Sequence, residues 1–391
     1  MGCAFSLDSM ASSCTRTKWE IATTNSILRI LVICRMSDRA AATFTHSWAM
    51  LDSVHEVIVV RETKGFPHPK VRYFTLPSVF RLVPFLKSIL LLVFSCFISW
   101  AFRPDLICAV QMHPHGYYGY LVSKVSRRPL VLHTVSQSQG GLGGFIGRNL
   151  RLAEFRRALA FGAALRAVMI TTTGNTTRQN LISIGIPPSR VIVTPTPTNA
   201  DEFFPLEVPK KWDIITVARF ERLKRLDIFL RVIKEISRER SVNAAIGGSG
   251  VEEENLRKMR LQLGLEQIVT FIGWVDSESS LNEILNQSRV FLLTSQTEGF
   301  PTTISEALCA GTCCVAANVG DVSTVIDDKK NGILVSPFDN IEEYKNQIIR
   351  ILDNDDFQEN LRQMGLKTCR QLSLQHRAKI FQRFVSDFFI K

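Results

Sequence analysis

The sequence predicts an α/β protein of two doubly wound parallel domains, and three observations carry that prediction. At 391 residues the chain exceeds the size of a single hydrophobic core, so two domains are the natural expectation. Short β-rich apolar runs alternate with helical segments, the order that builds parallel sheets with helices on both faces. The alternation closes near Pro205 and restarts at Asp213, after LEVPKK (206–211), which reads as a linker. The expected layout is an irregular leader (1–26), a first domain (27–205), a second (206–370) and a C-terminal helix (371–391) returning toward the first.

Hydrophobic content of 46% with 21% charged residues describes a folded chain and excludes a disordered one. The formal charge of +11 is uneven: residues 1–205 hold 22 Lys/Arg against 10 Asp/Glu, and the rest 25 against 26. Such an excess in the first half points to an anionic surface, membrane lipid before nucleic acid, because basic residues interleaved with aromatics are not seen. A solvated basic face with no partner is the plainer alternative. The nine cysteines form no C-x-x-C pair, and an odd count without metal spacing fits a reducing compartment. No secretory leader is read, because residues 1–26 are mostly polar and Ile27–Cys34 is short and contains Arg29. Met1-Gly2-Cys3 with Ser6 matches a myristoylation pattern, for which chance is the preferred account.

In chain order, ILRILVIC (27–34) reads as a strand, 38–51 as a helix, and Val54–Val60 and Val71–Leu76 as two further strands. No glycine-rich turn follows the first strand, so the dinucleotide fingerprint is absent. SILLLVFSCFISWAF (88–102) is uncharged but shorter than the roughly 20 residues that span a bilayer. A helix buried against the sheet is preferred there, one lying in a membrane interface comes next, and a span comes last. RPDLICAV (103–110) is a strand leading to His113 and His115, at the strand end where open α/β sheets bind ligands. With no third ligand near, the two histidines read as polar rim residues before metal ligands. RPLVLHTVS (128–136), carrying His133, runs into the five-glycine loop 137–148. The helix 149–167 follows, its Arg151, Arg156, Arg157 and Arg166 able to meet anionic headgroups or to form a solvated face. A strand (168–173), a short helix (174–185) and VIVTPTPTNADEFFP (191–205) end the domain.

The second domain opens with DIITVARF (213–220) and a helix whose Leu226, Phe229, Leu230 and Ile233 keep helical spacing. Arg219 and Lys224 stand at the strand end and the helix start, where two cations can hold a diphosphate; Arg222 and Arg225 are close enough in sequence to compete for that role. NAAIGGSG (243–250) is a strand with a glycine-rich turn, weak evidence alone. IVTFIGWV (268–275) and RVFLLTS (289–295) are strands about an amphipathic helix. Next comes TSQTEGFPTTISEALCAGTCCVAANVG (294–320), where Glu298 and Glu306 stand eight positions apart. Gly299 and Pro301 break regular structure, a threonine is expected to cap a helix, and Gly311 to end it. This puts Glu298 on a loop and Glu306 on the first helical turn, beside backbone N–H groups that favour an anion. Carboxylates that accept hydrogen bonds from sugar hydroxyls, next to amides that take a phosphate, suit a sugar nucleotide. Strands at 312–320 and 331–337 and a helical tail (340–391) with Phe381, Phe384 and Phe388 complete the chain.

Together these residues resemble the retaining glycosyltransferases of family 4, which have the GT-B architecture of two Rossmann-like domains facing a central cleft. The resemblance is dense in VARFERLK (217–224), IGGSGVEEENLRK (246–258), VTFIGWV (269–275), 290–320 and NGILV (331–335). It is looser in RPDLICA (103–109), PLVLHTV (129–135) and 195–205. It implies that Glu298 contacts the transferred sugar and Glu306 the ribose, while Arg219 and Lys224 neutralise the departing diphosphate. Gly299, Phe300, Pro301 and Thr302 would line the sugar and phosphate pocket, and Ile272, Gly273 and Trp274 would lie near the base. The chain departs from the family's pattern after the first strand, where CRMSDRAA replaces a glycine-rich loop. It departs again at Val135 or Ser136, where a histidine is common and His133 is a weak substitute, and at Arg225, where glycine is common.

The implied activity is retaining hexosyl transfer from a UDP- or GDP-sugar, without metal or other cofactor, to a glycan or lipid-linked acceptor in surface-polysaccharide or glycolipid synthesis. His113, His115 and His133 are the acceptor-side candidates. The expected location is cytoplasmic, peripheral on the inner membrane face. Two other readings stay open: a phosphorylase or epimerase of the same fold, and an impaired nucleotide-sugar-binding scaffold in a membrane glycosylation complex, which the atypical first loop supports.

Overall fold

The computed structural model describes residues 27–76, 84–134, 150–199 and 201–389. The leader with its myristoylation pattern, Val135, Ser136 and the loop 137–148 lie outside the described residues, as does the side chain of Arg151. Seven parallel strands form the first sheet: β1 (Leu28–Ile33), β2 (Val54–Arg61), β3 (Val71–Thr75), β4 (Leu106–Val110), β5 (Leu130–Thr134), β6 (Met169–Thr172) and β7 (Val191–Val193), ordered β3-β2-β1-β4-β5-β6-β7. Between the edge strands β3 and β7, the runs of Val, Ile and Leu are buried on both faces, as a parallel sheet between helices requires. The helices are α1 (Asp38–Ala49), α2 (Pro84–Phe102), α3 (Tyr117–Ser126), α4 (Leu150–Arg166) and α5 (Asn175–Ser183).

The second sheet holds β8 (Trp212–Val217), β9 (Ala244–Gly247), β10 (Val269–Gly273), β11 (Ser288–Leu293), β12 (Cys313–Ala317) and β13 (Ile333–Val335), ordered β10-β9-β8-β11-β12-β13 and again all parallel. It is covered by α6 (Leu226–Glu239), α7 (Glu253–Gln262), α8 (Glu278–Asn286), α9 (Thr302–Cys309), α10 (Ile341–Asp353) and α11 (Asp355–Gln371). The strand order reverses at β1 in one sheet and at β8 in the other, so crevices open beyond the C-terminal ends of β1/β4 and β8/β11. The last helix, α12 (Leu374–Phe389), packs on α1, with Phe381 stacked on Trp48 at 4.1 Å.

Among the described residues, the C-terminal edges of the two sheets meet at Asp321 and at Arg39. Asp321, fully buried after β12, accepts hydrogen bonds from the backbone N–H groups of Thr176 and Thr177 and from the Thr177 hydroxyl, capping α5 of the other sheet. A Cβ on Gly174 would collide with the Asp321 carboxyl group, so only glycine fits there. The second meeting point is Arg39 of α1, which reaches Glu306 of α9.

Two expectations need correction. α2 is not a buried helix: Leu91, Ser95, Ile98 and Ser99 face the core, while Ile89, Val93, Phe97 and Trp100 face outward. Among the described residues no helix is long and apolar enough to cross a membrane. Cys309 and Cys369 are joined in a disulfide across 60 residues, tying the end of α9 to α11, a pairing outside the reduced chain that the odd count suggested.

Candidate functional site

The loop between β11 and α9 carries Glu298, buried at 8% exposure. Its Oε1 accepts hydrogen bonds from Lys224 Nζ at 2.7 Å and from the Ser295 hydroxyl at 2.5 Å. Lys224 is held on a single 3₁₀ turn (Arg222–Lys224) between β8 and α6. That turn is tied to the β11 loop by the Thr294 hydroxyl, which donates to the carbonyl of Arg225 at 3.0 Å, and by Gln296 N–H, which donates to that of Leu223 at 2.9 Å. Arg225, in the position where glycine is common, adopts a left-handed φ of 47°. Its guanidinium grips both Asp227 carboxylate oxygens at 2.9 Å, which offsets part of the strain of that conformation.

Arg219 is placed differently from Lys224. It is 67% exposed and pairs with Glu221 at 2.7 Å, so Lys224, and not Arg219, is the cation seated on the Glu298 carboxylate. The glycine-rich turn after β9 shapes this loop. Gly248 has φ +129°, and a Cβ there would collide with the Ala218 carbonyl oxygen; Gly250 presses closely on the Phe220 backbone. Ser249 accepts a hydrogen bond from Phe220 N–H at 2.8 Å through its carbonyl. Close backbone approach therefore explains the GGSG motif that meant little alone. Gly273, at φ +76°, accepts through its carbonyl from Gly248 N–H at 2.7 Å, and Trp274 beside it is 60% exposed.

α9 begins at Thr302 behind Pro301, and no side chain caps it. The expected threonine cap is absent because Pro301 takes the capping position and Thr302 becomes the first helical residue. Glu306 consequently sits at the start of the second turn, not the first. Gly311 ends the helix region at φ +76°, as its place in the sequence predicts. Gly299 and Phe300 are half-buried and Pro301 is buried.

Glu306 is buried at 6% exposure, and burial pushes its carboxyl up to about 7; Arg39 opposes that rise, while Glu278 and Glu202 add to it. Arg39, on the first turn of α1, reaches across from the other sheet. Its guanidinium lies 3.6 Å from Glu306 Oε1, 3.3 Å from Glu202 and 3.1 Å from Glu278, with the Phe203 ring beneath it at 5.6 Å. Sequence reasoning passed over Arg39, Glu202, Glu278 and Ser295. The signal for Arg39 was its position just beyond β1, the strand at the switch point.

Of the histidines expected on the acceptor side, His113 and His115 lie just beyond β4, His113 with an extended backbone (φ −136°, ψ 141°). His115 is buried, and burial, with Arg35 and His113 adding to it, lowers its pKa to about 4. His113 is lowered by burial and by Arg156. A cavity of about 360 Å³ lined by Arg35, Met36, Arg61, Glu62 and Thr63 lies at the ends of β1 and β2. His133 does not reach a surface. It is 2% exposed, its Nδ1 lies 2.8 Å from the Thr171 hydroxyl and its Nε2 3.3 Å from Arg377 Nη2. Burial and Arg377 hold it neutral, and it serves to anchor α12 to the sheet. Among the described residues no cluster of His, Cys, Asp and Glu could hold a metal ion.

Two parallel doubly wound sheets that meet at their C-terminal edges, with a buried carboxylate facing an arginine across that meeting, form the architecture of the GT-B class of glycosyltransferases. Comparison with known proteins agrees: the family described as glycosyl transferases group 1 matches residues 198–368, and glycosyltransferase family 4 matches residues 41–202. The chain belongs to the group 1, family 4-type glycosyltransferases. Its relatives include a subunit of the phosphatidylinositol N-acetylglucosaminyltransferase of Arabidopsis thaliana, 26% identical over 66% of this chain and 56% of that one. Another is a D-inositol 3-phosphate glycosyltransferase of Nocardioides, 30% identical over 42% of this chain and 39% of that one. The chain thus spans only about half the length of these relatives, or less. Among solved structures, Anabaena HepE in complex with UDP superposes with a TM-score of 0.72 at 17% identity, covering 92% of this chain and 100% of that one. A Thermosynechococcus elongatus sucrose-phosphate synthase superposes with a TM-score of 0.71 at 17% identity, covering 93% and 99%. At that identity the likeness establishes the fold.

Proposed function

We propose that the chain transfers a hexosyl group from a UDP- or GDP-sugar to an acceptor, with retention of anomeric configuration and without a metal. The observation that carries this reading is the Lys224–Glu298 pair in the loop before α9, with Glu306 eight residues on. That arrangement offers a cation to a departing diphosphate, a carboxylate to sugar hydroxyls and a second carboxylate to a ribose. Cleavage of the sugar–phosphate bond builds negative charge on the diphosphate, which Lys224, a reoriented Arg219 and the dipole at the start of α9 would stabilise. Same-face attack by the acceptor hydroxyl, its proton passing to the leaving phosphate, gives retention without a protein nucleophile. Glu298 then orients the sugar. The complexes of Anabaena HepE with UDP and with UDP-glucose support a donor of this kind.

On the acceptor side we read a glycan or lipid-linked acceptor presented at an anionic membrane surface, supported by the basic first half of the chain. Incubation with a panel of UDP- and GDP-sugars is expected to show slow donor hydrolysis that persists in EDTA, with NMR reporting the donor's anomeric configuration in the transfer product. No hydrolysis with any donor despite nucleotide binding would instead establish the non-catalytic scaffold.

A further inference from the structure

α2 presents to solvent a face that no soluble surface helix needs. Ile89, Val93, Phe97 and Trp100 are 44%, 58%, 56% and 75% exposed. Their spacing of four, four and three residues lines them along one side of the helix for about 16 Å. Ser88–Phe102 holds no charged residue, so the outward side lacks the polar stripe by which an amphipathic helix meets water. The opposite side is already used, with Leu91 and Ile98 in the core. A contiguous exposed apolar face of this kind marks an interaction site.

The charges around it say what covers it. At the Trp100 end, Arg29 donates to the Phe102 carbonyl, the Arg72 guanidinium, paired with Glu56 at 3.0 Å, lies 5.6 Å from the Phe102 ring, and Arg103 is exposed; Asp105 is a second acid beside them, so the cations outnumber the carboxylates. α3 packs on α2 and exposes Lys124, Val125 and Arg127 at its own C-terminal end. An apolar strip with an aromatic at its end and a basic collar matches a bilayer interface, acyl chains against the strip and anionic headgroups against the collar.

We propose that the outward face of α2, with the basic collar at its C-terminal end, is the surface by which the protein docks on an anionic lipid bilayer. This rests on the membrane-surface reading above and adds the face that makes the contact. Topology gives the docking a purpose. As the crossover between parallel β3 and β4, α2 runs antiparallel to the strands, so its Pro84 end lies toward the C-terminal edge where the site is. A helix lying flat on the leaflet thus brings the cleft mouth to the lipid surface.

The test is flotation of the full chain with phosphatidylcholine vesicles containing or lacking phosphatidylserine, at low and high salt, for the wild type and for the Phe97→Ser/Trp100→Ser double variant. Both positions are exposed, so the variant should keep its circular dichroism, melting temperature and membrane-free donor hydrolysis. The wild type is expected to float with anionic vesicles, more at low salt, and the double variant to bind more than about tenfold more weakly. Trp100→Phe alone should keep flotation and lose the fluorescence quenching given by brominated lipid. Unchanged flotation of the double variant would overturn the face while leaving the membrane reading intact. A wild type that hydrolyses donor but floats with no vesicle would overturn the membrane reading itself. A wild-type dimer that the double variant converts to monomer would assign the face to a second copy and overturn the proposal.

Discussion

Arg39 of α1 and Glu306 of α9 lie 3.6 Å apart across the junction of the two sheets, the guanidinium shared with Glu202 and Glu278. The carboxylate read as the ribose clamp is thus held by a cation from the other sheet. In that role an ionised Glu306 would accept hydrogen bonds from ribose hydroxyls, whereas the protonated acid would compete as a donor. Donor affinity is therefore expected to rise as pH increases through about 7. Because Arg39 opposes the effect of burial, Arg39→Gln should move that midpoint upward and Arg39→Lys should largely restore it. Isothermal titration of UDP from pH 5.5 to 8.5 checks this, and identical profiles for wild type and Arg39→Gln would refute it.

The same carboxyl shapes stability. A folded-state pKa raised from 4.5 to about 7 means that the native state binds more protons than the unfolded chain between those values. Stability should then fall with rising pH across that window, by ~3 kcal/mol from this group alone. Glu306→Gln removes the titration, so its unfolding free energies in urea at pH 4.5 and 7.5 should differ less than the wild type's by that amount.

Lys224 and Glu298 are both largely buried, and removing one partner strands the other. Lys224→Met should destabilise the protein by about 3 kcal/mol and abolish measurable donor hydrolysis. Glu298→Gln retains a hydrogen-bond acceptor for Lys224, so it should melt within a few degrees of wild type while donor hydrolysis falls by about 100-fold or more. Equal losses of stability in the two variants would assign the pair a structural role.

Asp321 should act as an interdomain cap. Asp321→Ala is expected to cost about 2 kcal/mol by releasing the N-terminus of α5, with hydrogen exchange rising at Thr176 and Thr177 before the rest of the first domain. Exchange that rises uniformly would indicate global destabilisation instead.

The Cys309–Cys369 bridge closes a long loop, and by chain-entropy reasoning its reduction should cost about 4 kcal/mol. Thiol titration of the unfolded protein should yield two more reactive cysteines after reduction than before. Dithiothreitol should lower the melting temperature of the wild type but not of Cys369→Ser.

The strands were legible because Val/Ile/Leu runs such as LRILVI and DIITV carry the signature of a two-sided buried sheet in four to six residues. Gly311 was legible because a left-handed residue ends α9 there. The missing threonine cap, by contrast, turned on a one-residue choice between Pro301 and Thr302 that local chemistry balances closely. His133 alternates correctly along its strand, yet the partners that bury it, Thr171 and Arg377, stand 38 and 244 residues away. Ser295 lies within the same stretch as Glu298, but a serine three residues before a glutamate announces nothing until the loop folds back.

By itself the sequence determined two parallel sheets, the loop-to-helix setting of Glu298 and Glu306, and a basic first half, since periodicity, turn chemistry and charge are properties of neighbours along the chain. Only the tertiary structure decided that Lys224, and not Arg219, sits on Glu298, that Arg39 crosses to Glu306, that Cys309 meets Cys369, and that α2 turns Trp100 outward. Each of these depends on how elements far apart in the chain dock, and docking brings together residues that share no local pattern.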